Sequence, residues 1–326
     1  MNAFQGAIDF LSRTQRFIIT SHETPDADAI GSECAISKAL RGLGRETIIL
    51  NADPIPRKLS FLDPDKVIQV LEREDQLPLD IGEYSLLMLD TNDVQNIGQI
   101  ASLVLPRVRE HFIIDHHEQE EDLLAGNFIQ KSASSTAEIL YQLLREMNVT
   151  IDREMAQALF TGIVYDTGSF IYPKTTAITF EIARDLVARG VRPNIVYSRL
   201  YERNSISALI LQTRVLATLE LFFANHVSLL TMTREMVIDS GANYDEADQL
   251  INIPLRSEDV RVSVFFKQNA AGLLRCSLRS KAKINVAEIA QSFGGGGHRT
   301  AAGFKCRENL ERSKQIVLEK LRKLFP

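Results

Sequence analysis

His111-Phe112-Ile113-Ile114-Asp115-His116-His117 decides the reading of this chain. A short apolar run with β-branched residues reads as a buried strand, and it ends on a carboxylate and two imidazoles. The same arrangement recurs upstream. Arg16–Thr20 (RFIIT) is followed by Ser21-His22, and Tyr84–Leu89 (YSLLML) by Asp90. A further apolar run lies at Glu46–Leu50. Helical spacing from Ala29 to Leu43 stops at Gly42 and Gly44, as helix ends often do. Apolar strands alternating with helical stretches predict a mostly parallel sheet covered on both faces. Ligands of such sheets bind beyond the carboxyl ends of the strands, where His22, Asp90 and Asp115–His117 fall.

The remaining chemistry-bearing residues extend this set. His22-x-x-x-Asp26-x-Asp28 places three ligand types in one strand-to-helix turn, with Pro25 keeping the turn extended. Asp28 has an ordinary alternative as the N-cap of a helix starting at Ala29. Asp90 is preferred over Asp93 because it lies nearest the strand end. Ser135 followed by Glu138 has the form of a capping box. Helices are expected over Arg153–Val164 and Thr175–Gly190, with Asp166 in the loop between them. His111 and His226 lack ligand-type neighbours and read as structural. Neutral imidazoles with hard carboxylate oxygens suit Mn²⁺, Mg²⁺ or another divalent ion. Two such ions, roughly 3.5–4 Å apart, would activate water against a phosphate ester.

From Ile195 to Phe223 the chain stays apolar at helical spacing, and from Val227 it turns to strands with period-two alternation. A glycine run, Gly294–Gly297, leads into His298-Arg299. Without side chains, such a run lets backbone N–H groups approach an anion. Arg279, His298 and Arg299 flank it with positive charge, so Gly296 and Gly297 with these three residues are the candidate phosphate-binding set. The motif is neither a P-loop nor a dinucleotide fingerprint. Net charge is −5 overall. From Leu255 to Arg307, however, ten Lys/Arg face three acids, which places an acidic half suited to cations beside a basic half suited to phosphates.

The 326 residues, 45% hydrophobic and 24% charged, suffice for two globular domains. No secretory signal or membrane-length apolar stretch is read from the sequence. Three widely spaced cysteines argue against a disulfide framework. A cytoplasmic setting without a membrane partner is expected. Oligomeric state, including a homodimer, stays open.

The motifs SHETPDADAIGS, LDTND, IIDHHE and YDTGSF, followed by SLRSKAKINVAEIAQSFGGGGHRTAAGF, resemble those of the DHH/DHHA1 phosphoesterase family. The similarity is strongest to its branch of stand-alone oligoribonucleases that also act on 3′-phosphoadenosine 5′-phosphate. The resemblance implies an α/β chain in three parts. Residues 1–190 would be a DHH metal-binding catalytic domain with a mostly parallel sheet flanked by helices. Residues 191–225 would be a helical connector, and 226–326 a smaller DHHA1 substrate-binding domain with a mixed sheet. It also implies two Mn²⁺. His22 and Asp26 would bind one, Asp28, His116 and Asp166 the other, and Asp90 would bridge them. His117 would contact the phosphate or the attacking water, Asp115 would orient the histidines, and Arg279, His298 and Arg299 would hold the nucleotide. Arg299 stands where relatives vary. The implied substrates are short RNA and small nucleotides. The alternatives are a phosphodiesterase for linear or cyclic dinucleotides and, in another class, a non-catalytic nucleotide- or RNA-binding module.

Overall fold

The computed structural model describes residues 3–117, 126–203, 205–281 and 284–325, with their side chains except those of Asp245 and His298. The chain divides into two compact units, Met1–Arg203 and Asn204–Pro326.

The first unit runs α1 (Gln5–Arg13), β1 (Arg16–Thr20), α2 (Ala27–Gly42), β2 (Glu46–Asn51), β3 (Ile68–Val70), β4 (Ser85–Leu89) and α3 (Ile100–Leu103). It continues with β5 (Glu110–Asp115), β6 (Asn127–Ile129), α4 (Thr136–Glu146), α5 (Arg153–Asp166), α6 (Ala177–Ala188) and α7 (Pro193–Tyr201). Its six strands lie in the order β3-β2-β1-β4-β5-β6, all parallel. The expected parallel sheet is therefore present. Strand residues alternate between two cores. Phe17, Ile19, Ile49, Leu87, Leu89, Phe112 and Ile114 pack under α2, α4 and α5, while Ile18, Leu50, Leu86, Met88 and Ile113 pack under Ile97, Ile100 and Val104. Burial on both faces explains why these strands read as continuous apolar runs.

The strand order reverses direction between β1 and β4, which is where the carboxyl ends open a crevice. Thr20, Leu89 and Asp115 end the three central strands there. Helix α2 is held against α5 by two glycines. A β-carbon at Gly31 would lie 2.4 Å from the Ala158 carbonyl oxygen. One at Gly162 would lie 2.5 Å from Asp28 Oδ1 and 2.8 Å from Ala137 Cβ.

Several local expectations shift. α1, whose Ala7, Phe10 and Leu11 are buried, was not expected. α2 starts at Ala27 because Asp26, not Asp28, is its N-cap, accepting from the Asp28 and Ala29 amides. Ser135 caps α4 through the Glu138 amide, but the Glu138 carboxylate accepts from the Ser134 and Thr179 hydroxyls. The capping box is thus half-formed, since a buried carboxylate is better satisfied by two hydroxyls.

The second unit comprises α8 (Ile206–Leu216), β7 (Glu220–Phe222), β8 (Val227–Met232), α9 (Arg234–Ser240), β9 (Val262–Gln268) and β10 (Leu274–Ser280). α10 (Ala287–Gln291), β11 (Gly296–His298), β12 (Ala301–Lys305) and α11 (Leu310–Arg322) complete it. The sheet order is β11-β12-β10-β9-β8-β7. β8 and β9 are parallel and the other neighbours antiparallel, which is the mixed sheet anticipated. The stretch 191–225 is divided between the cores: Val196 and Leu200 of α7 pack in the first unit, and Leu211 and Val215 of α8 in the second.

Gly31→Ala is expected to lower stability by about 1–3 kcal/mol, because the overpacking cost outweighs the gain of roughly 1 kcal/mol in helix propensity. Urea unfolding would show a reduced midpoint with an unchanged slope.

Candidate metal centre

Strands β1, β4 and β5 of the first unit deliver their polar residues at, or within two residues of, their carboxyl ends. After β1, the His22 ring N–H (Nδ1) donates to the Glu23 carbonyl at 2.8 Å, which aims Nε2 at Asp90 Oδ2, 3.6 Å away. Asp26 spends Oδ1 on the start of α2. Asp28, in the first turn of that helix, accepts from the Thr136 and Ala137 amides at 2.6 and 2.9 Å. It therefore also caps α4, where an anion is favoured. Asp90 follows β4 with φ of 60°. This left-handed conformation is costly for a residue with a side chain and typical of functional sites. Its Oδ1 accepts the Thr136 hydroxyl at 2.9 Å.

Behind β5, Asp115 accepts from the His116 amide at 2.8 Å, from His117 Nδ1 at 2.7 Å and from the Asn92 side-chain amide at 2.5 Å. His116 Nε2 lies 3.0 Å from Asp166 Oδ2, 3.5 Å from Asp90 Oδ1 and 4.0 Å from Asp28 Oδ2. Asp166 is the last residue of α5 rather than a loop residue. The helix runs two residues further than its apolar spacing suggested, and so carries the carboxylate inward.

Three overlapping groups result, each with ligand atoms within 4.8 Å of one another: His22, Asp26 and Asp90; Asp28, His116 and Asp166; and Asp90, Asp115, His116 and His117. All eight residues that the sequence singled out in this half meet at one place. Thr136 and Asn92 were not singled out. Thr136 sits 46 residues from Asp90 and 108 from Asp28, so no local pattern could mark it. Asn92 lay inside LDTND.

The electrostatics of the cluster are those of crowded, buried carboxylates. Asp28 is pushed up to about 7 by burial and then by the Asp166 charge. Asp166 is pushed up to about 8 by burial and the Asp26 charge. Asp90 is raised well above the carboxylate range by burial, with Asp28 and Asp26 adding to it. Burial lowers His116 to about 4, so its ring is neutral at physiological pH, and both its nitrogens are buried without a hydrogen-bond partner. Burial would lower His117 too, but the hydrogen bond and charge of Asp115 prevail and raise it. Burial opposes ionisation of Asp115, yet His117 holds it below the usual range. Hard oxygens plus a neutral, unpartnered imidazole are a donor set that fits divalent cations.

The substrate candidates lie in the second unit. Arg279 is exposed on β10 opposite Ala301, and Ala301 on its other side faces the His298 position. The His298 side chain lies outside the described residues. Arg299 is exposed in the turn between β11 and β12, where its carbonyl accepts the Val286 amide. The glycine run is not wholly an open loop, since Gly296 and Gly297 belong to β11. A β-carbon at Gly297 (φ 134°) would lie 2.5 Å from the Ala301 carbonyl oxygen, and one at Gly295 2.2 Å from that of Gly303. Close hairpin packing is thus one reason for these glycines.

Residues 16–163 match the model of the DHH family N-terminal domain, and residues 227–325 that of the DHHA1 domain. Over 307 residues the chain is 31% identical to the bifunctional oligoribonuclease and PAP phosphatase NrnA of Thermus thermophilus, covering 93% of this chain and 88% of that one. The chain belongs to the DHH family of phosphoesterases. The protein of the same name from Bacillus subtilis is 27% identical over 90% of each chain. An exopolyphosphatase-related protein from Bacteroides fragilis superposes with a TM-score of 0.92 at 25% identity, covering 99% of this chain and 97% of that one. Among the described residues, no helix is long and apolar enough to cross a membrane. The enzymes of this family are metal-dependent, and the cluster built here could hold a metal ion.

The raised groups set a pH dependence. In the metal-free protein, Asp28, Asp90 and Asp166 titrate above the ordinary carboxylate range and retain protons that the unfolded chain has released well below pH 6.5. The folded state therefore binds more protons, and stability falls as pH rises from 6.5 through about 8. Calorimetry in chelator should show a lower melting temperature at the upper end of that window. Added Mn²⁺, which displaces those protons, should raise the melting temperature more at high pH than at low.

Proposed function

We propose that this protein hydrolyses short oligoribonucleotides to mononucleotides and removes the 3′-phosphate of 3′-phosphoadenosine 5′-phosphate, using a pair of Mn²⁺ ions in a cytoplasmic setting. The observation that carries this reading is the grouping of two ligand triads about Asp90 at the strand ends. The similarity to oligoribonuclease and PAP phosphatase relatives over most of the chain supports it. His22 and Asp26 would hold one ion, Asp28, His116 and Asp166 the other, with Asp90 shared between them. Bound there, the ions supply Lewis acidity that lowers the pKa of water and offsets charge on the phosphate oxygens.

The chain's own residues do the rest. The Glu23 carbonyl fixes the His22 tautomer so that Nε2 is the ligand atom. Thr136 orients Asp90 by its hydroxyl and Asp28 by its amide. Asp115, itself held by Asn92, keeps a proton on His117 Nδ1. Its charge also favours the imidazolium, so His117 donates to a phosphate oxygen where negative charge grows. The neutral ring of His116 is reserved for coordination. In the second unit, Arg279, His298 and Arg299, with Gly296 and Gly297, would hold the nucleotide.

Purified protein with Mn²⁺ should degrade an end-labelled five-nucleotide RNA to mononucleotides, and excess chelator should stop it. Asp90→Ala forfeits several kcal/mol of charge stabilisation and should slow turnover roughly a thousandfold. Asp115→Asn, acting through His117, should cost about 10- to 100-fold. Arg279→Ala should raise KM by roughly tenfold with the Mn²⁺ requirement unchanged. Intact RNA alongside cleaved cyclic dinucleotide would transfer the assignment to a dinucleotide phosphodiesterase. Binding without turnover by the wild type would reduce it to a binding module.

A further inference from the structure

The turn that follows Asp166 carries features that the metal centre leaves unused. Gly168, Ser169 and Phe170 all have positive φ, at 56°, 63° and 69°, so the chain winds left-handed for three residues. The turn is pinned from several directions. The Ile171 and Tyr172 amides both donate to the Thr167 carbonyl at 2.9 Å, and the Phe170 amide donates to the Thr167 hydroxyl at 3.0 Å. The Phe170 ring stacks on Phe180, centroids 5.3 Å apart. Lys174 Nζ donates to the His116 carbonyl at 3.2 Å.

Two side chains emerge from this rigid turn toward solvent. Tyr172 lies with its ring over Gly168, where a β-carbon would fall 2.5 Å from Cζ. The residue nevertheless remains 50% exposed. Lys174 is also exposed. Its ammonium carries three donors, of which the His116 carbonyl takes one. Its charge reaches Asp166 and His116, yet no carboxylate pairs with it among the described residues. A cation held at the lip of a carboxylate cluster by a backbone carbonyl keeps its remaining donors for an incoming anion. Tyr172 and Lys174 stand two residues apart in the chain, so their Cα atoms lie within about 7 Å of each other.

We propose that Tyr172 and Lys174 form a nucleotide subsite on the first unit. The tyrosine ring stacks a base, and the ammonium holds the phosphate neighbouring the scissile one. Stacking accepts any base because each has a π-face, so the subsite recognises a nucleotide without selecting its sequence. This inference rests on the oligoribonuclease reading above.

The test compares Tyr172→Ala, Tyr172→Phe, Lys174→Ala and Lys174→Arg on a trinucleotide RNA and on the same backbone carrying abasic riboses. Tyr172→Ala should raise KM on the RNA roughly 5- to 100-fold, the range expected for one stacked base, with kcat retained. It should scarcely affect the abasic substrate, and Tyr172→Phe should restore wild-type KM. Lys174→Ala should raise KM on both substrates and reduce the slope of log affinity against log salt by about one, with Lys174→Arg recovering most of the loss. Unchanged KM in the alanine variants overturns the proposal. So does a Lys174→Ala effect confined to the Mn²⁺ concentration for half-maximal activity, since Lys174 then only props the His116 backbone. If the wild type cleaves no oligonucleotide, the oligoribonuclease reading fails separately. Fluorescence anisotropy with a labelled trinucleotide then decides the subsite, with equal binding by wild type and Tyr172→Ala overturning it.

Discussion

Carboxylates forced together away from water repel one another, and the first unit is organised around five of them: Asp26, Asp28, Asp90, Asp115 and Asp166. Burial and mutual charge push three of the five far from their ordinary titration range. Such a cluster costs folding free energy unless cations or hydrogen bonds offset it. The chain offsets part of that cost with backbone amides at two helix starts: those after Asp26 and those of Thr136 and Ala137 onto Asp28. The rest is a cost that bound cations could offset. The centre thus carries an electrostatic cost in the metal-free fold.

Holding that geometry requires strain and close packing in the neighbouring elements. Asp90 adopts a left-handed backbone at the end of β4, which turns its carboxylate toward the crevice beside β1. Gly162 leaves room for Asp28 where α5 crosses α2, since any side chain there would strike Oδ1. The topological switch between β1 and β4 puts His22 and Asp90 side by side. A sheet without that reversal would separate the two triads.

The two adjacent histidines show how environment divides labour between identical side chains. Burial without a hydrogen-bond partner keeps His116 neutral and suited to coordination. The Asp115 carboxylate, one residue before it, favours the charged form of His117 instead. Opposed shifts in neighbouring titratable groups mark a candidate functional site.

Much of this was legible before any coordinates. Apolar runs ending in His22, Asp90 and Asp115–His117 determined a parallel sheet with polar residues at its carboxyl ends, because strand burial and residue type are local properties. The motif order likewise determined the family. Tertiary structure alone decided what depends on distant partners. It made Asp26 rather than Asp28 the cap of α2, and extended α5 to include Asp166. It redirected Glu138 from its expected capping partner to the Ser134 and Thr179 hydroxyls, and drew much of the glycine run into a hairpin. Thr136 and Lys174 reached Asp28 and the His116 carbonyl only when chain segments far apart in sequence met. Periodicity records which face of an element is buried. Which carboxylate meets which amide depends on the packing of several elements at once, and no single stretch of chain encodes it.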